Sequence, residues 1–174
     1  MAYLLENKDN MITPEKLLRR IRRMIIFFIV VLVVSGLTAM PLYTEMKWLM
    51  KQTFFSADSA VGWWLVKVWQ GVADTNDNYP FLFYGFDWLG FAHLVIAMAF
   101  IGPYKDPVRN VWLINWGMLT CLAVIPLAVI AGMVRGVPWF HVLADCLFGI
   151  IGLFPLWITR KWIHQLASLQ KEKA

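Results

Sequence analysis

Four long apolar runs constrain this sequence more than any other feature. A helix needs about 20 mostly apolar residues to cross the hydrocarbon layer of a membrane. Four segments meet that requirement, namely residues 24–42, 82–103, 107–134 and 138–162. Asp106-Pro107 is a helix start signal for the third run, and Gly136 after Arg135 suits a left-handed cap at its end. We predict an all-α integral membrane protein with four transmembrane helices in an up-down bundle.

The composition supports a lipid environment. The chain is 60% hydrophobic and 16% charged, with a mean hydropathy of +0.60, whereas soluble domains are usually about 45–50% apolar and about 25% charged. A basic lead-in followed by an apolar run also resembles a signal peptide. Because the first run stays apolar past Ala39, we interpret it as a retained span.

The basic residues predict the orientation of the spans. Cytoplasmic flanks of membrane helices are rich in Lys and Arg, and 12 of the 16 basic residues fall on one side of the predicted spans. They are Lys8, Lys16, Arg19, Arg20, Arg22, Arg23, Lys105, Arg109, Arg160, Lys161, Lys171 and Lys173. We therefore place residues 1–23 and 163–174 in the cytoplasm. The net charge of +5 is then explained by topology and anionic lipid headgroups, and we expect no nucleic-acid partner.

The segment between the first two spans, residues 43–80, is predicted to lie at the outer face. Apolar residues recur at helical spacing in two stretches, first around Met46 and then from Val61 to Val72. Each stretch is too short to span, so both are interpreted as interfacial helices. The turn-forming residues 74–80, DTNDNYP, are expected to end the second helix. The whole chain, residues 1–174, is interpreted as a single membrane domain.

Five ionisable residues lie in or beside the outer half of the predicted bundle. They are Asp87, His93, Arg135, His141 and Asp145. The second and fourth spans run in the same direction, and a rise of 1.5 Å per residue puts Asp87 roughly 8 Å and Asp145 roughly 10 Å below their outer ends, with His93 about 16 Å down. Ionisable groups inside a membrane usually face protein or water and are candidates for function. We take these five residues as candidate ligand-binding residues.

Each of the five also has a purely structural interpretation. Asp87 could stabilise the start of its helix, His141 could be a wet interfacial histidine, and Arg135 could reach the headgroups. Asp145 and His93 could form Asp–His or Asp–Arg pairs that hold spans together. The small residues Gly90, Ala97, Gly149 and Gly152 fit close helix packing or, around His93, room for a ligand. Cys121 and Cys146 are interpreted as apolar packing residues.

A metal would use Asp87, His93, His141 and Asp145, because carboxylate and imidazole are acceptable ligands. No HExxH or ExxH motif is present, so the sequence leaves both the metal and any other cofactor unknown. The depth difference of some 10 Å between the histidines argues against a bis-His haem. No GxSxG motif or glycine-rich phosphate loop occurs either, which gives nucleophilic catalysis little support.

The stretches GFDWLGFAHLVIAMAFIGPYKDPVRN and IPLAVIAGMVRGVPWFHVLADCLFG resemble a group of small uncharacterised bacterial inner-membrane proteins with four spans and no assigned activity. The similarity extends from SGLTAMPL, residues 35–42, nearly to the C-terminus. It implies a location in the bacterial inner membrane and no particular chemistry.

Three functions follow as hypotheses. The first is a membrane binding or accessory protein whose outer-leaflet pocket holds a lipid headgroup, a quinone or a similar amphiphile. The second is an outer-face enzyme that acts on a lipid-borne substrate by His/Asp acid–base chemistry, with or without a metal. The third is a proton-coupled transporter or channel subunit, which the scarcity of polar residues in the inner half weakens. The expected partners are the bilayer, such a ligand, and a second copy or another membrane subunit.

Overall fold

A computed structural model describes residues 13–52 and 58–171. The basic residues Lys8 and Lys173 of the orientation prediction lie outside this range. Within it the chain is helical and has no strand. The helices are α1 (Pro14–Ala39), α2 (Leu42–Leu49), α3 (Ala60–Asn78), a 3-10 turn (Pro80–Phe83), α4 (Tyr84–Ala99), α5 (Ile101–Lys105), α6 (Val111–Arg135) and α7 (Trp139–Lys171).

Four helical segments are long and apolar enough to cross a membrane. They are Pro14–Ala39, Pro80–Lys105, Val111–Arg135 and Trp139–Lys171. The predicted all-α fold with four membrane-spanning helices is confirmed to this extent. The up-down order, the interfacial position of α2 and α3, the identity of the membrane and the side of the termini stay predictions.

Two of these helices extend well beyond the apolar runs that predicted them. Helix α1 begins at Pro14, ahead of the apolar run, and α7 continues to Lys171. Leu17 and Ile21 in the basic part of α1 are 0% exposed, and Ile163 and Leu166 in the end of α7 are 1% and 2% exposed. Packing of these amphipathic turns stabilises helix beyond the apolar segments.

The structure refines one predicted helix boundary and contradicts another. The second predicted outer helix ends within residues 74–80 as expected, but only at Asn78. Helix α3 runs through the polar residues 74–78, where the Asn78 side-chain amide donates to the Asp74 carboxylate at 2.8 Å. The helix stops before Pro80, because a proline ring disfavours helix at the preceding residue. Asp106 does not cap α6. Its carboxylate accepts a hydrogen bond from the Arg109 N–H at 3.1 Å, which stabilises a turn ahead of Val111.

The described chain divides into two compact units. Unit 1 comprises residues 13–27 and 100–171, and unit 2 comprises residues 28–52 and 58–99. The prediction of a single domain stays a prediction. The largest fully buried side chains all belong to unit 1 and are Leu17, Ile21, Ile25, Pro103, Ile114, Thr159, Ile163 and Leu166.

Helices α6 and α7 of unit 1 form an antiparallel hairpin that packs through small residues. A Cβ atom added to Gly117 would lie 3.2 Å from the Leu156 side chain, and one added to Gly149 would lie 2.5 Å from the Cys121 carbonyl oxygen. Small residues let helix backbones approach closely in lipid. The packing role predicted for Gly149 is therefore confirmed, and Cys121 takes part in it.

Unit 2 contains a close crossing of α1 and α4. A Cβ at Gly36 would lie 2.7 Å from the Gly90 carbonyl oxygen, and one at Gly90 would lie 2.6 Å from the Gly36 carbonyl oxygen. The two backbones therefore touch where both residues lack a side chain. In the same unit Tyr43 of α2 stacks on Trp69 of α3, with their ring centroids 5.6 Å apart.

The first turn of α3 depends on a side-chain cap. Ser59 has extended backbone angles, and its hydroxyl oxygen accepts the Gly62 N–H at 3.0 Å. We expect Ser59→Ala to destabilise this end of α3 by about 1 kcal/mol, because the N–H loses its partner. Hydrogen exchange of the first-turn amides should accelerate, and Ser59→Asp, which keeps a capping oxygen, should restore protection. Unchanged exchange in Ser59→Ala would contradict the capping role.

Candidate ligand site at the α6–α7 turn

A tight three-residue turn brings the end of α6 and the start of α7 together. Gly136 has φ 65° and ψ 32°, the left-handed conformation predicted from its position after Arg135. The Val137 N–H then donates to the Gly132 carbonyl oxygen at 2.9 Å, which satisfies one of the free acceptors at the helix end. Pro138 leads into α7, and its carbonyl oxygen accepts the His141 N–H at 3.0 Å.

A cavity of about 390 Å³ lies beside this turn and is formed by both helices. Three of the five candidate residues, Arg135, His141 and Asp145, line it. Its other walls are Val124, Leu127, Ala128, Ala131, Gly132, Val137 and Phe148. A mostly apolar wall with a few convergent polar groups is the usual character of a small-molecule site.

His141 and Asp145 interact within the cavity. They lie four residues apart on α7, and His141 Nε2 is 3.8 Å from Asp145 Oδ2, so the attraction is strong only when the imidazole is protonated. Their side chains are 48% and 44% exposed. This pair joins residues of a single helix, and its half-exposed polar atoms can still meet a ligand.

The apolar wall is itself open at the surface of unit 1. Leu127 is 66% exposed and Phe148 is 73% exposed. If α6 and α7 cross a membrane, such side chains face lipid, since burial of apolar surface there does not require protein contact. The cavity therefore combines three ionisable groups with a surface that suits an acyl or prenyl chain.

Asp87 and His93 belong to unit 2. Asp87 is exposed in the first turn of α4, where a carboxylate interacts favourably with the helix dipole, as the structural interpretation expected. His93 is half-buried, and its Nδ1 lies 2.8 Å from the Leu89 carbonyl oxygen. Because a carbonyl only accepts, Nδ1 carries the proton in this contact. The five-residue composite site stays a prediction.

His93 lies at the glycine crossing of α1 and α4. A Cβ added to Gly36 would lie 3.0 Å from the His93 Cβ and close to the Gly90 backbone. Of the two interpretations of Gly90, the structure favours close packing over room for a ligand. Gly36 was not predicted as a packing residue, because its partner lies on a helix more than fifty positions away.

The described residues contain no group of three or more His, Cys, Asp or Glu side chains that could hold a metal ion. The cavity offers one imidazole and one carboxylate, whereas catalytic zinc sites typically use three protein ligands. The chemistry available at the cavity is therefore that of a cation, an acid–base group and a hydrogen-bond acceptor.

Three small residues that make room for the cavity were not predicted from the sequence. Ala128, Ala131 and Gly132 of α6 line it and lie three and four positions apart, so they share one face of the helix. The signal was present in the sequence LAVIAGMVR, residues 127–135, where small side chains precede the arginine at helical spacing.

Four helices long and apolar enough to span a membrane, with ionisable side chains in a cavity at one hairpin turn, indicate a helical membrane protein. Comparisons with protein-family models, with curated proteins and with solved structures found no match for this chain. The resemblance to small bacterial inner-membrane proteins stays a prediction.

Proposed function

We propose that the protein is a membrane binding or accessory protein whose α6–α7 cavity holds a small polar or amphiphilic ligand, such as a lipid headgroup or a quinone. The observation that carries this proposal is the meeting of Arg135, His141 and Asp145 in one cavity with an apolar wall. The volume of about 390 Å³ falls within the range of about 300–1,000 Å³ usual for ligand pockets.

Each polar group has a distinct role in this proposal. The Arg135 guanidinium donates a forked pair of hydrogen bonds to an anionic or carbonyl oxygen of the ligand. His141 donates or accepts a hydrogen bond according to its protonation, and Asp145 accepts one. Leu127 and Phe148 contact the apolar part, which enters sideways from the bilayer.

The distribution of charge supports an outer-leaflet position for this cavity. Twelve of the sixteen basic residues flank the spans on the predicted cytoplasmic side. The α6–α7 turn joins the other ends of its two helices, away from these basic flanks. In this proposal both termini are cytoplasmic and the membrane is a bacterial inner membrane.

Native mass spectrometry of the protein released from nanodiscs of bacterial lipid extract tests the proposal. We expect a retained lipid or quinone adduct whose apparent affinity falls about tenfold or more in Arg135→Gln and in Asp145→Asn, because each removes a charged hydrogen-bonding partner. Asp77→Asn is the matched control, since Asp77 is exposed on α3 and outside the cavity.

The variant Asp87→Asn extends the same experiment to the five-residue composite site. Loss of the adduct in Asp87→Asn would support participation of Asp87, and retention would restrict the site to the α6–α7 cavity. A wild-type protein without adduct, together with an Asp145→Asn variant that only unfolds at lower temperature, would contradict the binding function.

The contact between His141 and Asp145 favours one second candidate, an enzyme that acts on a lipid-borne substrate. His141 would serve as the general base, and Asp145 would orient its imidazole. In vesicles of phosphatidylethanolamine and phosphatidylglycerol, time-dependent product formation that His141→Gln abolishes while the adduct persists would identify catalysis. Lipid that stays unchanged over the same period would favour the binding function.

A further inference from the structure

A second cavity, of about 750 Å³, lies in unit 1 at the basic start of α1. It is lined by Lys16, Arg19, Arg20, Arg22, Arg23, Ile26 and Tyr104. Five of its seven lining residues are cations, and it has no lining residue in common with the cavity at the α6–α7 turn. This cavity is therefore independent of the proposed function.

The spacing of these cations on α1 points them toward one region. Lys16, Arg19, Arg20 and Arg23 occupy helical positions i, i+3, i+4 and i+7, which form one face. The face beside it carries Leu17, Ile21 and Ile25, which are at most 1% exposed. Burial of that apolar stripe fixes the rotation of the helix and holds the basic face at the cavity.

Arg22 is held in place by Tyr104. Its Nε donates to the Tyr104 carbonyl oxygen at 3.1 Å, and its guanidinium carbon lies 5.5 Å from the centre of the Tyr104 ring. One wall of the cavity is thereby preorganised, so that a ligand does not bear the cost of ordering it.

The remaining cations have no anionic partner in the part of the chain that the structure describes. No carboxylate there lies within 4.0 Å of the charged atoms of Lys16, Arg19, Arg20 or Arg23. Like charges held together repel one another, and a bound anion would remove that repulsion. Arginine forks match the oxygens of a phosphate group in particular.

The cavity also meets the apolar surface of α1. Ile26 in its lining is 45% exposed. A ligand with a phosphate among the arginines can thus place a hydrocarbon chain against Ile26. We propose that this cavity binds the phosphate group of an anionic phospholipid, since basic pockets beside membrane helices suit such headgroups.

The test measures binding of diphosphatidylglycerol to the full-length protein in phosphatidylcholine nanodiscs by native mass spectrometry. We expect Arg19→Gln/Arg23→Gln to weaken binding at least about tenfold, because two exposed cations of the cavity are lost. The control Arg160→Gln/Lys161→Gln removes the same charge from exposed positions of α7 outside the cavity and should retain wild-type binding.

Three results would overturn the proposal. Equal losses in both double variants would mean general attraction between charges. Binding of inorganic pyrophosphate that is as tight as that of the lipid would assign the cavity to free phosphates. Wild-type protein that does not select diphosphatidylglycerol over phosphatidylcholine would exclude lipid recognition, and this measurement needs no variant to fold. Asp145→Asn, which tests the other cavity, should leave this binding unchanged.

Discussion

Gly90→Ala is expected to lower the free energy of unfolding by about 3 kcal/mol. The added methyl carbon would lie 2.6 Å from the Gly36 carbonyl oxygen and 2.7 Å from the Met40 Cγ. The Met40 side chain can rotate away, but a backbone oxygen moves only if α1 and α4 separate. Overpacking of this kind typically costs about 1–3 kcal/mol. Because the partner atom belongs to the backbone, we expect the cost of Gly90→Ala at the upper end of this range.

Gly85→Ala in the same helix is the matched control. No atom lies within 4 Å of a Cβ at Gly85, and alanine favours helix over glycine by about 0.5–1 kcal/mol. Its stability should be unchanged or slightly raised. Unfolding in mixed micelles, followed by tryptophan fluorescence, measures both variants. Equal stability of Gly90→Ala and the wild type would contradict the close crossing of α1 and α4.

Gly149→Ala is expected to destabilise the α6–α7 hairpin by a similar amount, about 2–3 kcal/mol. Its methyl carbon would lie 2.5 Å from the Cys121 carbonyl oxygen and 3.7 Å from the Ile125 side chain. Because the Cys121 carbonyl is part of the α6 backbone, relief requires α6 and α7 to move apart. The α6–α7 cavity is formed by the same two helices, so retention of the proposed ligand should fall as well.

Gly71→Ala in α3 provides the comparison for Gly149→Ala. A Cβ at Gly71 would have no neighbour within 4 Å, so helix propensity should raise stability by about 0.5–1 kcal/mol. Thermal unfolding and adduct retention should be recorded on both proteins. A Gly149→Ala variant that keeps its unfolding temperature and its adduct would show that the hairpin tolerates a wider separation.

The four long apolar helices could be predicted because hydropathy is a property of consecutive residues. The left-handed cap at Gly136 was predictable for the same reason, since glycine follows the last apolar turn directly. The start of α1 at Pro14 was not predicted, because the helix was assigned only to the continuous apolar run that begins at residue 24. Leu17, Ile21 and Ile25 recur every four residues among arginines. This apolar spacing was the signal in the sequence for a longer helix.

The candidate site was predictable only where it is local. His141 and Asp145 share a helical face by spacing, and the short turn keeps Arg135 near them. The approach of Gly36 to Gly90 depends on which helices pack together, and no local pattern in one sequence contains that information. Asp87 and His93 were grouped with the other three residues in one candidate site only because their estimated depths put them in or beside the outer half of the predicted bundle.

Burial is uneven along the α6–α7 hairpin. Ile114 and Ile163, at the end away from the turn, are at most 1% exposed, whereas the cavity lies at the end beside the turn. Regions with few buried contacts open with less free energy than the global unfolding reaction. The helical turns on either side of Gly136 can therefore open and close while the other end of the hairpin stays folded. Under the proposed binding function, the rate of ligand exchange at the turn would be set by this local opening and not by unfolding of the whole protein.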